Sequence, residues 1–310
     1  MAASAGRTVR PLLKRVRAYP PVNRLSTTAV RAASRLVPAV APGAERHLPR
    51  FGIVDAPLPN GRRLALAGAG DEPWSNRLFW RGWDAFYEPE TLPAFFSLAS
   101  RARVTFDIGA NVGIFSLLAG HANPGGRVHA FEPDQRAFGR LVRHVELNGL
   151  PNVESHCTAV ADTDGDMTLH AATAARPEDA VAVSAQTSVA RAHVEAEGSR
   201  VDHIEEQRAS AVSVDGFVDA HDIATVDLVK IDVEGAEPLV VAGMTETIRR
   251  HRPDIVCEVR DRDTGEAIET ALGRRGYSWR QLTWAGPVAR DHILPVGGGV
   301  WPNWLITCTG

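Results

Sequence analysis

Between residues 104 and 116 the chain reads VTFDIGANVGIFS. Val104–Ile108 is a short β-branched run, Gly109 and Gly113 punctuate a turn, and the apolar stretch Ile114–Gly120 follows at helical length. A strand that runs through a glycine turn straight into a helix is the opening unit of a parallel sheet covered by helices. The chain repeats this alternation. Arg127–Phe131 predicts a second strand and Gln135–Leu147 a helix stopped at Asn148-Gly149. Val153–Ala159, Asp227–Val233 and Asp254–Val259 predict further strands, with helices over Pro238–Arg250 and Gly265–Arg274. Tyr277–Arg280 reads as a strand and Trp304–Cys308 as a final edge strand. Residues 171–211 are polar, Ala-rich and weakly periodic, and predict an insertion made of a loop and one helix.

Composition narrows the classes that remain. The 310 residues are 44% hydrophobic, which fits a globular chain and not a disordered one. No run of 18 apolar residues occurs, so a membrane-spanning helix is not expected. Cys157, Cys257 and Cys308 lie too far apart for a disulfide framework or a zinc spacing, and the expected location is cytoplasmic. Charge is unevenly placed. Residues 1–50 carry ten Arg or Lys and one acid, Glu45, a net of +9; the other 260 residues carry 24 bases and 36 acids, a net of −12. An acidic body argues against a nucleic-acid partner. The basic N-terminal extension, residues 1–50, predicts peripheral contact with an anionic membrane surface.

The first turn is shaped for a ligand, and its chemistry narrows which one. A dinucleotide turn of the form G-x-G-x-x-G places a pyrophosphate at the helix start. Here position 111 is Asn, where that pattern needs its second glycine, and Asp107 at the strand end would repel a pyrophosphate. An ammonium or sulfonium fits beside Asp107 better. About twenty residues on, AFEPD puts Glu132 at the end of the second strand, where a carboxylate accepts both hydroxyls of a ribose. Together the motifs describe an adenosine ligand without phosphates.

A second constellation lies in VDLVKIDVEGAE, residues 226–237. In an extended strand Lys230 and Asp232 share a face. The chain has two lysines, Lys14 and Lys230, against 32 arginines, so a lysine inside an apolar strand is a selected feature. Its plain role is to pair with Asp232 or Glu258 and hold the sheet. Asp232, Glu234 and Glu237 crowd the strand end, where acids also stabilise the start of a helix. If this strand neighbours the DIGANVG strand, both acidic turns face one crevice, the usual ligand position in an open α/β sheet.

Taken with VSVDGFVD and RPDIVCEV, these strings resemble the FkbM family of methyltransferases over roughly residues 85–260, most specifically in LVKIDVEGAE. The resemblance implies the class I, Rossmann-like α/β fold: a seven-stranded, mostly parallel sheet with helices on both faces, here with the N-terminal extension added. The methyltransferase domain is then expected over 51–310, with a core at about 85–280 and the insertion at about 171–211. S-adenosyl-L-methionine is the implied cofactor. Asp107, Gly109, Asn111 and Gly113 would form its methionine loop, Glu132 would hold the ribose, and Thr158–Ala159 would fall at the adenine. The implied reaction is O-methylation of a sugar, glycolipid or secondary metabolite. An alcohol must lose its proton, and Asp232 or Glu234 is the expected base, with Lys230 orienting it. No metal is expected, because no independent third ligand stands beside the strand-end acids. His156 and His292 are expected to be structural or exposed, and the Trp-rich flanks to pack on the core or stack on a sugar face. A nicotinamide-dependent oxidoreductase and a non-catalytic adenosyl-binding adaptor are the rival readings. Asn111 weighs against the first, and the Lys230–Glu237 cluster against the second.

Overall fold

The computed structural model describes residues 19–36, 48–68, 73–83, 86–173, 187–188, 203–295 and 302–308. The chain forms two compact units, residues 1–87 and 88–310, so the first reaches well past the expected extension over 1–50. In the first unit, strands β1 (Gly52–Pro57) and β2 (Arg63–Gly68) pair as an antiparallel hairpin, accompanied by helices α1 (Pro20–Leu36) and α2 (Pro73–Arg81). Helix α1 buries polar residues. The Asn23 side chain donates to the Pro49 carbonyl and accepts from the Phe51 amide, both at 2.8 Å. The Thr27 hydroxyl accepts from Arg50 at 2.7 Å. Its apolar residues Val22, Leu25 and Leu36 are exposed, as is Tyr19 just before it. Residues 20–36 are therefore part of a folded unit.

The second unit holds an eight-stranded sheet. Its strands are β3 (Val104–Ile108), β4 (Arg127–Phe131), β5 (Val153–His156), β10 (Leu228–Ile231), β11 (Asp254–Glu258), β12 (Tyr277–Thr283), β13 (Gly286–Ala289) and β14 (Asn303–Cys308), in the spatial order β13-β12-β14-β11-β10-β3-β4-β5. From β11 to β5 every pairing is parallel. Strand β14 runs antiparallel to both β11 and β12, and β13 antiparallel to β12. This corrects two expectations. The sheet has eight strands instead of seven, because residues 277–289 form a hairpin. Trp304–Cys308 is also no edge strand but lies between β11 and β12, with Trp304 and Ile306 fully buried. The core gathers Phe106, Ile108, Val229, Ile231, Ile255 and Trp304 with the helices that cover the sheet. Among these are α3 (Leu92–Ala99), α4 (Ile114–Ala122), α5 (Gln135–Asn148), α6 (Val214–Ala220) and α9 (Arg262–Gly273).

A four-stranded sheet flanks this core, in the order β6-β9-β7-β8: β6 (Ala159–Ala161), β7 (Gly165–Thr173), β8 (Thr187–Ser188) and β9 (His203–Ser213). The loop and helix expected over 171–211 are strand at the described positions 171–173, 187–188 and 203–211. The period of two is present but carried by small and polar residues. Gln207, Ala209 and Ala211 are the sheltered positions, alternating with exposed Arg208 and Ser210.

The single helix expected over 238–250 is two, α7 (Glu237–Ala242) and α8 (Thr245–His251), broken at Gly243. A Cβ at Gly243 would lie 2.1 Å from the Ala161 carbonyl oxygen, so only glycine lets the helix end sit against β6. Gly243→Ala should cost about 1–3 kcal/mol, as overpacking does. Gly139, within α5, has open space around its missing Cβ. Gly139→Ala should stabilise by about 0.5–1 kcal/mol through helix propensity. Urea unfolding of both variants checks the opposite signs.

Candidate functional site

The parallel register sets Lys230 of β10 beside Asp107 of β3, so the turns after both strands open at the same sheet end. The adjacency that the sequence could only assume is present. The two turns also touch. Gly109 has φ +81, and a Cβ there would stand 1.8 Å from the Asp232 carbonyl oxygen. Gly113 has φ +92, and its Cβ would meet Leu141 Cδ1 at 2.5 Å. Both glycines are thus explained by contacts inside the protein. The amides they border are committed too: Gly109 and Ala110 N–H donate to the Phe131 carbonyl, and Gly113 N–H to Ala110.

Carboxylates give the site its character. Asp107 is buried and accepts from the Ser116 hydroxyl at 2.5 Å. Burial lifts its carboxyl to about 6, against the bond from Ser116 and the charge of Lys230. Glu132 is buried, with one oxygen accepting from the Asn111 amide and the other from the Asp134 amide, each at 2.8 Å. Asn111 reaches this position with φ +49. Burial raises the Glu132 carboxyl to about 7 in spite of the two amides. Each carboxylate oxygen keeps a lone pair for a further donor. Thr158 and Ala159 lie at the start of the second sheet. The Thr158 hydroxyl donates to the Ser210 carbonyl at 2.8 Å, and Ala159 is buried beside Ala211.

Around β10 the acids are held by two cations. Lys230 is fully buried, its Nζ 3.2 Å from Asp232 Oδ2 and 4.9 Å from the centre of the Phe115 ring. Burial alone would lower its pKa, but Asp232, Glu88 and Glu258 outweigh that and raise it, so the ammonium stays charged. Arg260 sits between Glu258, at 2.8 Å, and Glu234, at 2.5 Å. Glu234 has φ +57, a left-handed turn conformation that costs a side-chain-bearing residue about 1–2 kcal/mol. Glu237 caps that turn, accepting from the Val233 and Gly235 amides. Burial raises its carboxyl. Glu258, named in the sequence only as a possible partner of Lys230, belongs to the acidic cluster itself. It is 8% exposed, and burial followed by the charge of Asp232 pushes it up to about 8 against Arg260. Its sequence signal was an acid ending the strand next to LVKIDVEG, at the same level as Asp232. Asn303 of β14 closes this side, donating to Glu88 at 2.7 Å.

Other candidates fall elsewhere. His156 stacks on Phe131 with ring centres 5.0 Å apart, and His292 is exposed beside Glu269. Trp304 is core, Trp74 packs edge-on against Tyr87 in the first unit, and Trp284 is exposed. No helix among the described residues is long and apolar enough to cross a membrane.

Comparison with known proteins agrees with this picture. A family model described as the methyltransferase FkbM domain matches residues 107–279. The chain is 30% identical over 250 residues to the 31-O-demethyl-FK506 methyltransferase FkbM of Streptomyces tacrolimicus, covering 74% of this chain and 90% of that protein. It is 26% identical to Methyltransferase 1 of Beauveria bassiana, covering 61% of this chain and 78% of the other. Among solved structures it is similar to a methyltransferase FkbM from Methylobacillus flagellatus KT, at 16% identity and a TM-score of 0.42, over 78% of this chain and 56% of that one.

The buried lysine generates a direct test of the site's architecture. Lys230→Met removes the cation from beside Asp232 and should cost about 3–5 kcal/mol, the usual penalty for leaving one member of a buried pair alone. The double variant Lys230→Met/Asp232→Asn should regain part of that loss. Urea unfolding followed by tryptophan fluorescence measures both.

Proposed function

The chain belongs to the FkbM family of methyltransferases, and from that premise we propose that it uses S-adenosyl-L-methionine to methylate a hydroxyl group on a sugar, glycolipid or secondary metabolite. One observation carries the reading: the Asp107–Glu132 carboxyls and the Lys230–Asp232–Glu258 cluster occupy the same end of adjacent parallel strands. The printed name of the Streptomyces relative, an O-demethyl substrate included, supports a hydroxyl acceptor.

The donor set fits such a cofactor. Glu132 is a buried carboxyl whose two amide partners leave lone pairs for the hydroxyls of a ribose. Carboxyls outnumber the cations Lys230 and Arg260 around the two turns, which suits a sulfonium and opposes a pyrophosphate. Glu132 would hold the ribose, Asp107 and the turn through Gly109, Asn111 and Gly113 the methionine portion, and Thr158–Ala159 the edge nearest the adenine. When bound, the cofactor supplies an electrophilic methyl group on sulfur. The chain aligns the acceptor hydroxyl, excludes water and takes the proton; alignment alone contributes on the order of 7–11 kcal/mol. Asp232 is the proposed proton acceptor, with Lys230 orienting its carboxylate through Oδ2. Glu234 is the less suited base, held by Arg260. Glu258, beside Asp232 at the sheet end, is held by Arg260 and is not assigned as the base.

Peripheral membrane contact through the first unit is a separate proposal. It is supported by the exposed apolar residues Val22, Leu25 and Leu36 on α1 and Tyr19 just before it, within an N-terminal stretch of net +9. Because Asn23 and Thr27 pin α1 in place, Leu25→Glu/Leu36→Glu tests this better than deletion. The variant should sediment less with anionic vesicles at low salt while its melting temperature holds; equal sedimentation refutes it.

The cofactor reading makes two quantitative demands. S-adenosylmethionine or its demethylated product should raise the melting temperature, whereas NAD should not. Affinity should rise with pH, because a bound sulfonium and ribose favour ionised carboxyls. With Glu132 near 7 in the free protein, binding should be roughly tenfold tighter at pH 8 than at pH 6. Glu132→Gln should lose most of that dependence, and Glu132→Ala should weaken binding at least about tenfold. Calorimetry across the pH range reads all of this. For the chemistry, Asp232→Asn should leave cofactor binding largely intact and slow single-turnover methyl transfer by on the order of 10²–10⁴. A normal rate, or a collapsed melting temperature, moves Asp232 from catalysis to architecture.

A further inference from the structure

Two buried or half-buried histidines and a glutamate meet on one face of the sheet. In the parallel register His129 of β4 lies beside Glu154 of β5, and Phe131 beside His156. Residues two apart on a strand share a face, so all four side chains stand on the same side. His129 Nδ1 is 3.2 Å from His156 Nε2 and 3.8 Å from Glu154 Oε2. One donor atom from each of the three residues lies within 4.8 Å of the other two. We propose that His129, Glu154 and His156 form a binding site for a divalent transition-metal ion, Zn²⁺ being the ion that suits it best.

The chemistry is specific. Two imidazoles and one carboxylate are a recurrent zinc donor set, with bonds of about 2.0–2.2 Å and near-tetrahedral angles. Donors around such an ion stand roughly 3.3–3.6 Å apart, by the geometry of those bonds, so the observed spacings need only small side-chain rotations. His129 is buried and His156 half-buried. The surroundings also restrain the rings. His129 and His156 stack at 5.4 Å, and Phe217 of α6 meets both edge-on, at 5.4 and 5.0 Å. Glu154 keeps a half-exposed side chain, which provides a path for the ion and leaves room for a water as the fourth ligand. His221, at the end of α6, lies near the rim, its ring centre 6.5 Å from that of His156.

A direct His129–His156 hydrogen bond is the plainer use of the same atoms. It accounts for the 3.2 Å contact but not for the carboxylate aligned on the same nitrogen. The site would clamp the edge strand β5 to β4, and the proposal stands independently of the reaction assigned above.

The test uses untagged full-length protein stripped with a chelator. Adding Zn²⁺ at a hundredfold excess over its dissociation constant should raise the melting temperature by about 5–10 °C. Co²⁺ should give the intense visible absorption of a four-coordinate site. Glu154→Gln, whose side chain is half-exposed and which should fold normally, should weaken Zn²⁺ binding at least tenfold. His156→Gln should abolish the cobalt spectrum. No thermal shift and no cobalt spectrum overturn the proposal. So does binding that is unchanged in both variants, because the ion is then held elsewhere.

Discussion

The ammonium of Lys230 is the point around which the sheet end is arranged. It has no access to water, so its charge survives only because carboxylates surround it. Asp232 is drawn to it from the same strand, and the charges of Glu88, Glu258 and Asp107 act on it from the neighbouring elements. Arg260 then neutralises what remains by holding Glu258 and Glu234 together. The result is an acidic surface whose members are individually fixed but collectively short of positive charge. Such a surface is a standing invitation to a cation and a poor host for a phosphate, and this electrostatic bias distinguishes the site from a dinucleotide crevice of similar topology.

Two kinds of residue therefore do different work at the same sheet end. Glu132 and Asp107 are strained by burial, holding protons more tightly than free carboxyls do. They are poised to release them when a ligand brings donors or positive charge. Lys230, Arg260 and Glu237 are architectural, giving the turn after β10 its shape through charge and amide bonds.

Much of this was legible in the sequence because strong periodicity and glycine punctuation coincide. The strands at 104–108, 127–131, 228–231 and 254–258 are short apolar runs ended by acids, and a lysine among them in an arginine-rich chain marks its own importance. What was missed has physical reasons. Strand β9 alternates between alanine, glutamine and charged residues, so its burial pattern barely registers as hydrophobicity. Trp304–Cys308 ends the described chain, but its place between β11 and β12 depends on pairings with residues 277–281 that no local pattern encodes. Gly243 breaks a helix because of the Ala161 carbonyl, a neighbour distant in the chain. The amides of Gly109 and Ala110 are tied to the Phe131 carbonyl, a partner on the adjacent strand that local pattern does not reveal.

The approach of Gly109 to the Asp232 carbonyl makes the two turns a single wall. Neither can shift toward the other, because no side-chain atom cushions them and the carbonyl already occupies the place of a Cβ. Along that line the spacing between the segment that would cradle the methyl donor and the segment that would receive the acceptor's proton is fixed by backbone atoms alone. Side chains around the crevice can then vary without disturbing the distance between the two segments.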